Sequence, residues 1–250
     1  QVTMASGSQR FLAVVPARGG SKRIPRKNIR EFHGVPLLGR TLSTVVRSSV
    51  FDKVIVSTDD PEIAEIGRRY GARVPFNRPE DLSDDWTGTA PVVAHAVDQA
   101  TATFGDFSGV CCVYPGAVLM TEEDFVASSK LMSEAPNSDA VVAAVVRYGH
   151  PIQRALKRGN NGQLLPAGSA EVLTSRTQDL EPMWHDAGQF YWASPNRWRS
   201  TEPLLSSVIP HEVPAWRVQD IDTNDDWLRA ELLYRTLRRV DVVADLDEAP

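Results

Sequence analysis

Short apolar runs alternate with helix-like stretches through the first 150 residues, and this rhythm constrains the fold more than any other feature of the chain. Phe11–Val15, Val54–Val56, Val110–Tyr114 and Ala140–Val146 have the length and composition of strands buried on both faces. Between them the pattern predicts helices at about 36–49, 60–70, 89–103 and 121–134. The second of these opens on Asp59, Asp60, Pro61 and Glu62, which puts acidic residues and a proline in a first turn. Such alternation implies an α/β fold: a mostly parallel, doubly wound, Rossmann-like sheet covered on both faces. Ligands of such sheets bind beyond the carboxyl ends of the strands.

The rhythm breaks near His150. From there to about Trp184 the chain is polar, with Gly159-Asn160-Asn161-Gly162 as a turn signal. This reads as an inserted hairpin or small lobe, about 150–188, before a further strand, Gln189–Ala193. A last helix, about 224–239, starts after Thr223 with Asp226 three residues on, a capping-box-like pair. Trp227, Ala230, Tyr234 and Leu237 make one apolar stripe on it. The expected organisation is one domain over 11–240 with tails at 1–10 and 241–250, the acidic second tail frayed.

Directly after the first strand come Arg18-Gly19-Gly20-Ser21-Lys22-Arg23-Ile24-Pro25-Arg26-Lys27-Asn28-Ile29-Arg30, with six cations and no carboxylate. The chain has a net charge of −5, and removing the +6 of this loop leaves −11 for the remainder. Positive charge is therefore concentrated in one place, which suits a bound polyanion and not a generally basic surface. Glycines let backbone N–H groups approach an anion, and the cations add charge. Arg18 is suited to bidentate contacts with phosphate oxygens, Lys22 and Lys27 to point-charge contacts. The loop matches neither G-x-x-x-x-G-K-[ST] nor G-x-G-x-x-G, so neither a Walker loop nor a nicotinamide dehydrogenase is indicated.

Val218-Gln219-Asp220-Ile221-Asp222-Thr223 carries two aspartates at i, i+2, which point the same way on an extended segment. On spacing alone they read as readily as exposed carboxylates or helix caps. With a phosphate loop elsewhere, they become a hard oxygen pair for Mg²⁺, which takes carboxylates together with substrate phosphates. Arg78, in Asn77-Arg78-Pro79, is a surface charge or a ligand contact at a strand end. His185 is structural or functional, and Arg154 opens the polar insertion. Cys111 and Cys112 are neighbours in an apolar run, so they point to opposite faces and are expected as buried thiols. They form neither a disulfide framework nor a zinc site. With no nucleophile elbow, covalent catalysis is not indicated. No apolar run is long enough for a membrane span and Gln1–Arg10 has no apolar signal region, so the expected compartment is a reducing cytoplasm. Neither a nucleic acid nor a membrane is an expected partner.

These motifs, in this order, resemble the acylneuraminate cytidylyltransferase family over about residues 11–235. Pro16-Ala17-Arg18-Gly19-Gly20-Ser21-Lys22, Pro25 and Lys27-Asn28 resemble its nucleotide loop. Val56-Ser57-Thr58-Asp59, Arg78-Pro79 and Asp220-Ile221-Asp222-Thr223 match in turn. Lys22-Arg23-Ile24-Pro25, Ser175–Leu180, His185–Trp192 and Arg217–Asp220 are similar to the branch that activates pseudaminic acid. The resemblance implies a nucleotidyltransferase that joins CTP to a nonulosonic acid, releasing pyrophosphate. It implies phosphate contacts from Arg18, Lys22 and Lys27, nucleotide contacts from Ala17, Gly19, Ser21, Asn28 and Arg78, and Mg²⁺ on Asp220 and Asp222. It further implies a homodimer formed through the inserted lobe. Candidate sugar-acid contacts are Tyr114, Arg154, His185 and Gln189. Where sialic acid enzymes of the family read Gln-Pro-Thr-Ser-Pro, this chain has Tyr114-Pro115-Gly116-Ala117-Val118. The hydroxyls that would meet the sugar are missing, which argues against plain N-acetylneuraminate. Rival readings are another sugar acid (N-acetylneuraminate, legionaminate or Kdo) and a non-catalytic nucleotide-binding module.

Overall fold

The computed structural model describes residues 9–84 and 86–247. Strand β1 (Phe11–Pro16) runs into the basic loop, which ends in a tight hairpin of β2 (Glu31–Phe32) and β3 (Val35–Pro36). His33 and Gly34 both have positive φ at that turn, the conformation two-residue hairpins favour. Helix α1 (Leu37–Arg47), β4 (Lys53–Ser57), α2 (Pro61–Arg69), α3 (Thr89–Phe104), β5 (Gly109–Val113), α4 (Glu122–Ser133) and β6 (Val141–Arg147) follow. The polar insertion folds a small antiparallel hairpin, β7 (Leu156–Arg158) and β8 (Leu164–Pro166), turning at Gly159–Gly162. The chain then returns through β9 (Trp184–Ala193), α5 (Pro195–Arg199), β10 (Val208–Glu212) and α6 (Asn224–Asp247).

The central sheet has the order β10-β6-β9-β5-β1-β4. All its pairings are parallel except those of β9, which lies antiparallel between β5 and β6. Strand pleating feeds two cores. Ala13, Val15, Cys111, Val113 and Trp192 face α1, α2, α4 and α6, while Leu12, Val14, Val110, Cys112 and Tyr191 face α3 and α5. The adjacent cysteines thus point to opposite faces, both fully buried. From β1 the chain goes to β4 on one side and then returns to β5 on the other, so a crevice opens between the loops after β1 and β5.

Local chemistry sets the helix ends. Asp60 caps α2, its carboxylate accepting from the N–H groups of Glu62 (2.9 Å) and Ile63 (3.0 Å). The Thr223–Asp226 box begins α6: Thr223 Oγ1 donates to Asp226 at 2.7 Å and accepts from the Asp226 N–H at 3.2 Å. Trp227, Ala230 and Leu237 are buried beneath the helix, and Tyr234 packs against the same core.

Three features differ from expectation. Helix α6 continues through the segment expected to fray, as far as Asp247; residues 1–8 and 248–250 of the two tails lie outside the described residues. Strand β9 starts at Trp184, before Gln189, because its first residues pair with the end of β6 and are exposed there. Strand β10 has no counterpart in the sequence reading. It contains Pro210 and His211 and is only half-buried, as an edge strand tolerates.

Candidate active site

The crevice at the sheet's switch point holds a cavity of about 580 Å³. One wall is the basic loop, from Arg18, Ser21, Lys22, Arg23, Lys27 and Asn28. The other is Tyr114-Pro115-Gly116 after β5, Gly188 of β9, and Asp220-Ile221-Asp222.

The loop is held from below by the start of α2. Gly19 donates its N–H to Asp59 (3.1 Å), and a Cβ at Gly19 would lie 2.6 Å from an Asp60 carboxylate oxygen, so any larger residue must displace the Asp60 side chain. Arg26 pairs with both Asp60 and Glu62. Burial pushes the Asp60 carboxyl up, but the hydrogen bonds from Arg26 and two backbone N–H groups outweigh it and leave the net pKa lowered. Arg30 stacks over Trp227 at 4.4 Å. The six cations therefore divide: Arg26 and Arg30 brace the loop, while Arg18, Lys22, Arg23 and Lys27 line the cavity. Ala17 is buried at the loop's root, its N–H donating to Ser57 O (2.9 Å). Buried Asn28 fixes the turn by donating to Arg18 O (3.0 Å). Arg18 also donates to Asp84 O at 2.7 Å.

The acidic wall meets the loop directly. Lys27 Nζ donates to Ile221 O (2.6 Å) and lies 3.6 Å from Asp222. Arg23 pairs with Asp222 at 2.9 Å. Burial and the neighbouring Asp222 carboxylate raise the Asp220 pKa; Lys27 offsets part of that shift. An Asp220 charge disfavoured by the neighbouring Asp222 carboxylate is one that a divalent cation relieves. Among the described residues no group of three or more His, Cys, Asp or Glu gathers to hold a metal. Two carboxylates opposite a wall of four cations nonetheless fit Mg²⁺, whose remaining ligands are ordinarily phosphate oxygens and water.

The remaining candidates fall in different places. Tyr114 lines the cavity, and its hydroxyl bonds Thr89 Oγ1 at 2.6 Å. Arg78 lies buried behind the loop at the end of β4, donating to Ser57 Oγ (3.1 Å) and Ser57 O; burial brings its pKa down to about 10. Gln189 is buried beside the cavity, its amide donating to Ala187 O (2.8 Å) and Gly188 O (3.2 Å). His185 is exposed and packs on Tyr148, with 4.7 Å between ring centroids. Arg154 is spent inside the insertion, donating to Val172 O (3.3 Å), Thr177 Oγ1 (3.1 Å) and Ser175 O. Neither His185 nor Arg154 lines the cavity.

The sequence reading gave no role to the anchor behind the acidic wall. Asp124, buried in the first turn of α4, accepts from Arg217 at 2.7 and 3.0 Å and from His211 at 3.0 Å. Burial raises the Asp124 pKa, but these partners and the Thr121 N–H prevail and hold it well below the usual range. Arg217 precedes Asp220 by three residues, so this bidentate bridge fixes where the aspartates stand. The visible signal was the Thr121–Asp124 capping box; its two further partners lie about ninety residues away.

Comparison with known proteins places this geometry. A family model described as cytidylyltransferase matches residues 12–155, and the chain belongs to that family of nucleotidyltransferases. It is 36% identical to the pseudaminic acid cytidylyltransferase of Campylobacter jejuni subsp. jejuni serotype O:2 over 228 residues, covering 90% of this chain and 96% of the relative. It is 45% identical to the CMP-N,N'-diacetyllegionaminic acid synthase of Legionella pneumophila over 238 residues, with the same two coverages. A solved CMP:2-keto-3-deoxy-manno-octonic acid synthetase, in complex with CTP, has the same fold. Its TM-score is 0.66 at 14% identity, covering 91% of this chain and 99% of that one.

Proposed function

We propose that the protein catalyses CTP + pseudaminic acid → CMP-pseudaminic acid + pyrophosphate. The observation that carries this is the cavity itself, with four cations on one wall facing two aspartates on the other at the switch point of the sheet. Arg18, Lys22 and Lys27 would hold the triphosphate, while Ser21 and Asn28, with Arg78 and Ala17 beneath, would shape the nucleotide's seat. The sugar's anomeric hydroxyl forms the new bond to the α-phosphorus. The bond to the β-phosphate oxygen breaks in line, pyrophosphate leaves with the electron pair, and the hydroxyl proton is lost. Positioning and cationic stabilisation of the phosphoryl oxygens carry such a transfer. Asp220 and Asp222 would hold Mg²⁺, which when bound neutralises charge on the phosphate oxygens.

Incubating the protein with CTP, Mg²⁺ and a panel of synthetic nonulosonic acids tests the reading. CMP-sugar and pyrophosphate are expected to appear fastest with pseudaminic acid. A preference for a diacetylated legionaminic acid supports the second reading, which the 45% identity to the Legionella synthase favours. No turnover with any acid sinks the enzymatic reading and leaves a nucleotide-binding module.

We propose further that two copies pair through the insertion. Ile152, Leu156, Leu164, Leu165 and Leu173 crowd apolar surface there, each 41–57% exposed. The cytoplasm suits the two unpaired, buried thiols. No helix among the described residues is long and apolar enough to cross a membrane.

A further inference from the structure

Strand β9 does something unusual where it passes the cavity. Its pairing with β6 slips between Ala143 and Val145, and Gly188 takes a positive φ at the irregularity. The kink turns Gly188 into the cavity wall, where a Cβ would lie 3.6 Å from the Asp220 carboxyl group. Two residues earlier stands Asp186, exposed and yet fixed at both oxygens. Its Oδ1 accepts the Gly188 N–H at 2.9 Å, and its Oδ2 accepts the Tyr191 hydroxyl at 2.6 Å. An exposed carboxylate ordinarily rotates in water and does not need two internal donors to aim it.

The donors come from the body of the fold. Tyr191 is buried in the second core, its ring edge-on to Tyr114 with 5.7 Å between centroids. Burial keeps its phenol neutral, so it stays a hydrogen-bond donor at every working pH. Tyr114 lines the cavity, and both Asp186 and Asp220 lie within electrostatic reach of it. Asp186 is not itself part of the cavity lining; it stands one hydrogen bond from Gly188, which is, on the side of Tyr114 and Asp220 and away from the basic loop. An ionised carboxylate only accepts hydrogen bonds, and two donors leave it spare acceptor sites.

We propose that Asp186 is a specificity-determining residue that accepts hydrogen bonds from the hydroxyl or N-acyl N–H groups of the sugar acid, and that Tyr191 is the positioning residue that aims it. This rests on the proposed cytidylyl transfer and adds the part of the sugar that is read. The anionic end of the sugar acid belongs toward the loop, because a fixed carboxylate repels it; the donor-rich end belongs toward Asp186. Specificity of this kind is large, because an analogue lacking the donor leaves a preorganised acceptor unpaired.

Steady-state kinetics with each substrate varied in turn test the idea on three forms: wild type, Asp186→Asn and Tyr191→Phe. Asp186→Asn is expected to raise KM for the sugar acid about tenfold or more, as loss of a charged hydrogen bond does, with KM for CTP changed less than about twofold. Tyr191→Phe keeps the carboxylate but removes one of its two donors, and should raise the same KM by a smaller factor. The wild-type preference for the sugar acid over a deoxy analogue that lacks the donor should shrink in Asp186→Asn. A rise in both KM values together, with a lower melting temperature, would assign Asp186 a structural role and overturn the proposal. So would unchanged sugar kinetics, or a fall in kcat alone. If wild type itself forms no CMP-sugar, it is the cytidylyl transfer reading that fails; if wild type is active and Asp186→Asn is unaffected, only this inference does.

Discussion

Asp220 and Asp222 carry opposite burdens despite their spacing. Asp222 is paired with Arg23 and Lys27, whereas Asp220 is exposed to the cavity with its pKa raised. Asp222→Asn should lower turnover at limiting Mg²⁺ by on the order of a hundredfold with little change in melting temperature, and near-normal activity there would remove the metal role. Asp220→Asn should abolish turnover yet make the metal-free protein more stable. The sign follows from linkage: a carboxyl whose folded pKa lies above its unfolded value is penalised when ionised, so at neutral pH it costs stability, and that cost fades as pH falls through the folded value. Thermal melts in chelator at pH 7 check it. Gly19→Ala belongs at this scale too. Its Cβ would press on an Asp60 already fixed by Arg26 and two N–H groups, so KM for CTP should rise about tenfold. That positive charge gathers in one loop beyond β1 was legible from Arg18–Arg30. Which cations face the cavity was not, because Arg26 is claimed by Asp60 and Glu62, over thirty residues away.

Elements that bury both faces announced themselves as apolar runs: β1, β4, β5 and β6 lie where the sequence puts them. The hairpin of the insertion was legible in Gly159–Gly162, since a turn needs local chemistry only. Strand β10 was hidden because an edge strand with Pro210 and His211 has no apolar signature; its place is set by pairing with β6. What docks this edge to the site is the bridge from α4 through Asp124 to His211 and Arg217. Replacing Asp124 by Asn strands a half-buried arginine, and urea melts at pH 7 should show a loss of about 3 kcal/mol. The Asp124 pKa is lowered on folding, so its stabilisation is present above the usual carboxylate range and lost as pH falls toward the folded value. The difference in stability between wild type and variant should therefore narrow below about pH 4.

At the scale of the whole molecule, the fold class was readable because strand–helix alternation admits few topologies. The antiparallel placement of β9 was not, since it depends on how the chain re-enters after the insertion. If the insertion joins two copies, Leu164→Glu with Leu165→Glu should yield monomers in sedimentation analysis while leaving the far-ultraviolet circular dichroism unchanged. Persistent dimers in that variant would move the contact elsewhere.

Lys27 grips the backbone of Ile221 from 194 positions away in the chain. On the ribosome, the basic half of the cavity is made first, and its acidic counterpart emerges about 190 residues later. The two walls therefore meet only after every strand of the sheet between them has been made.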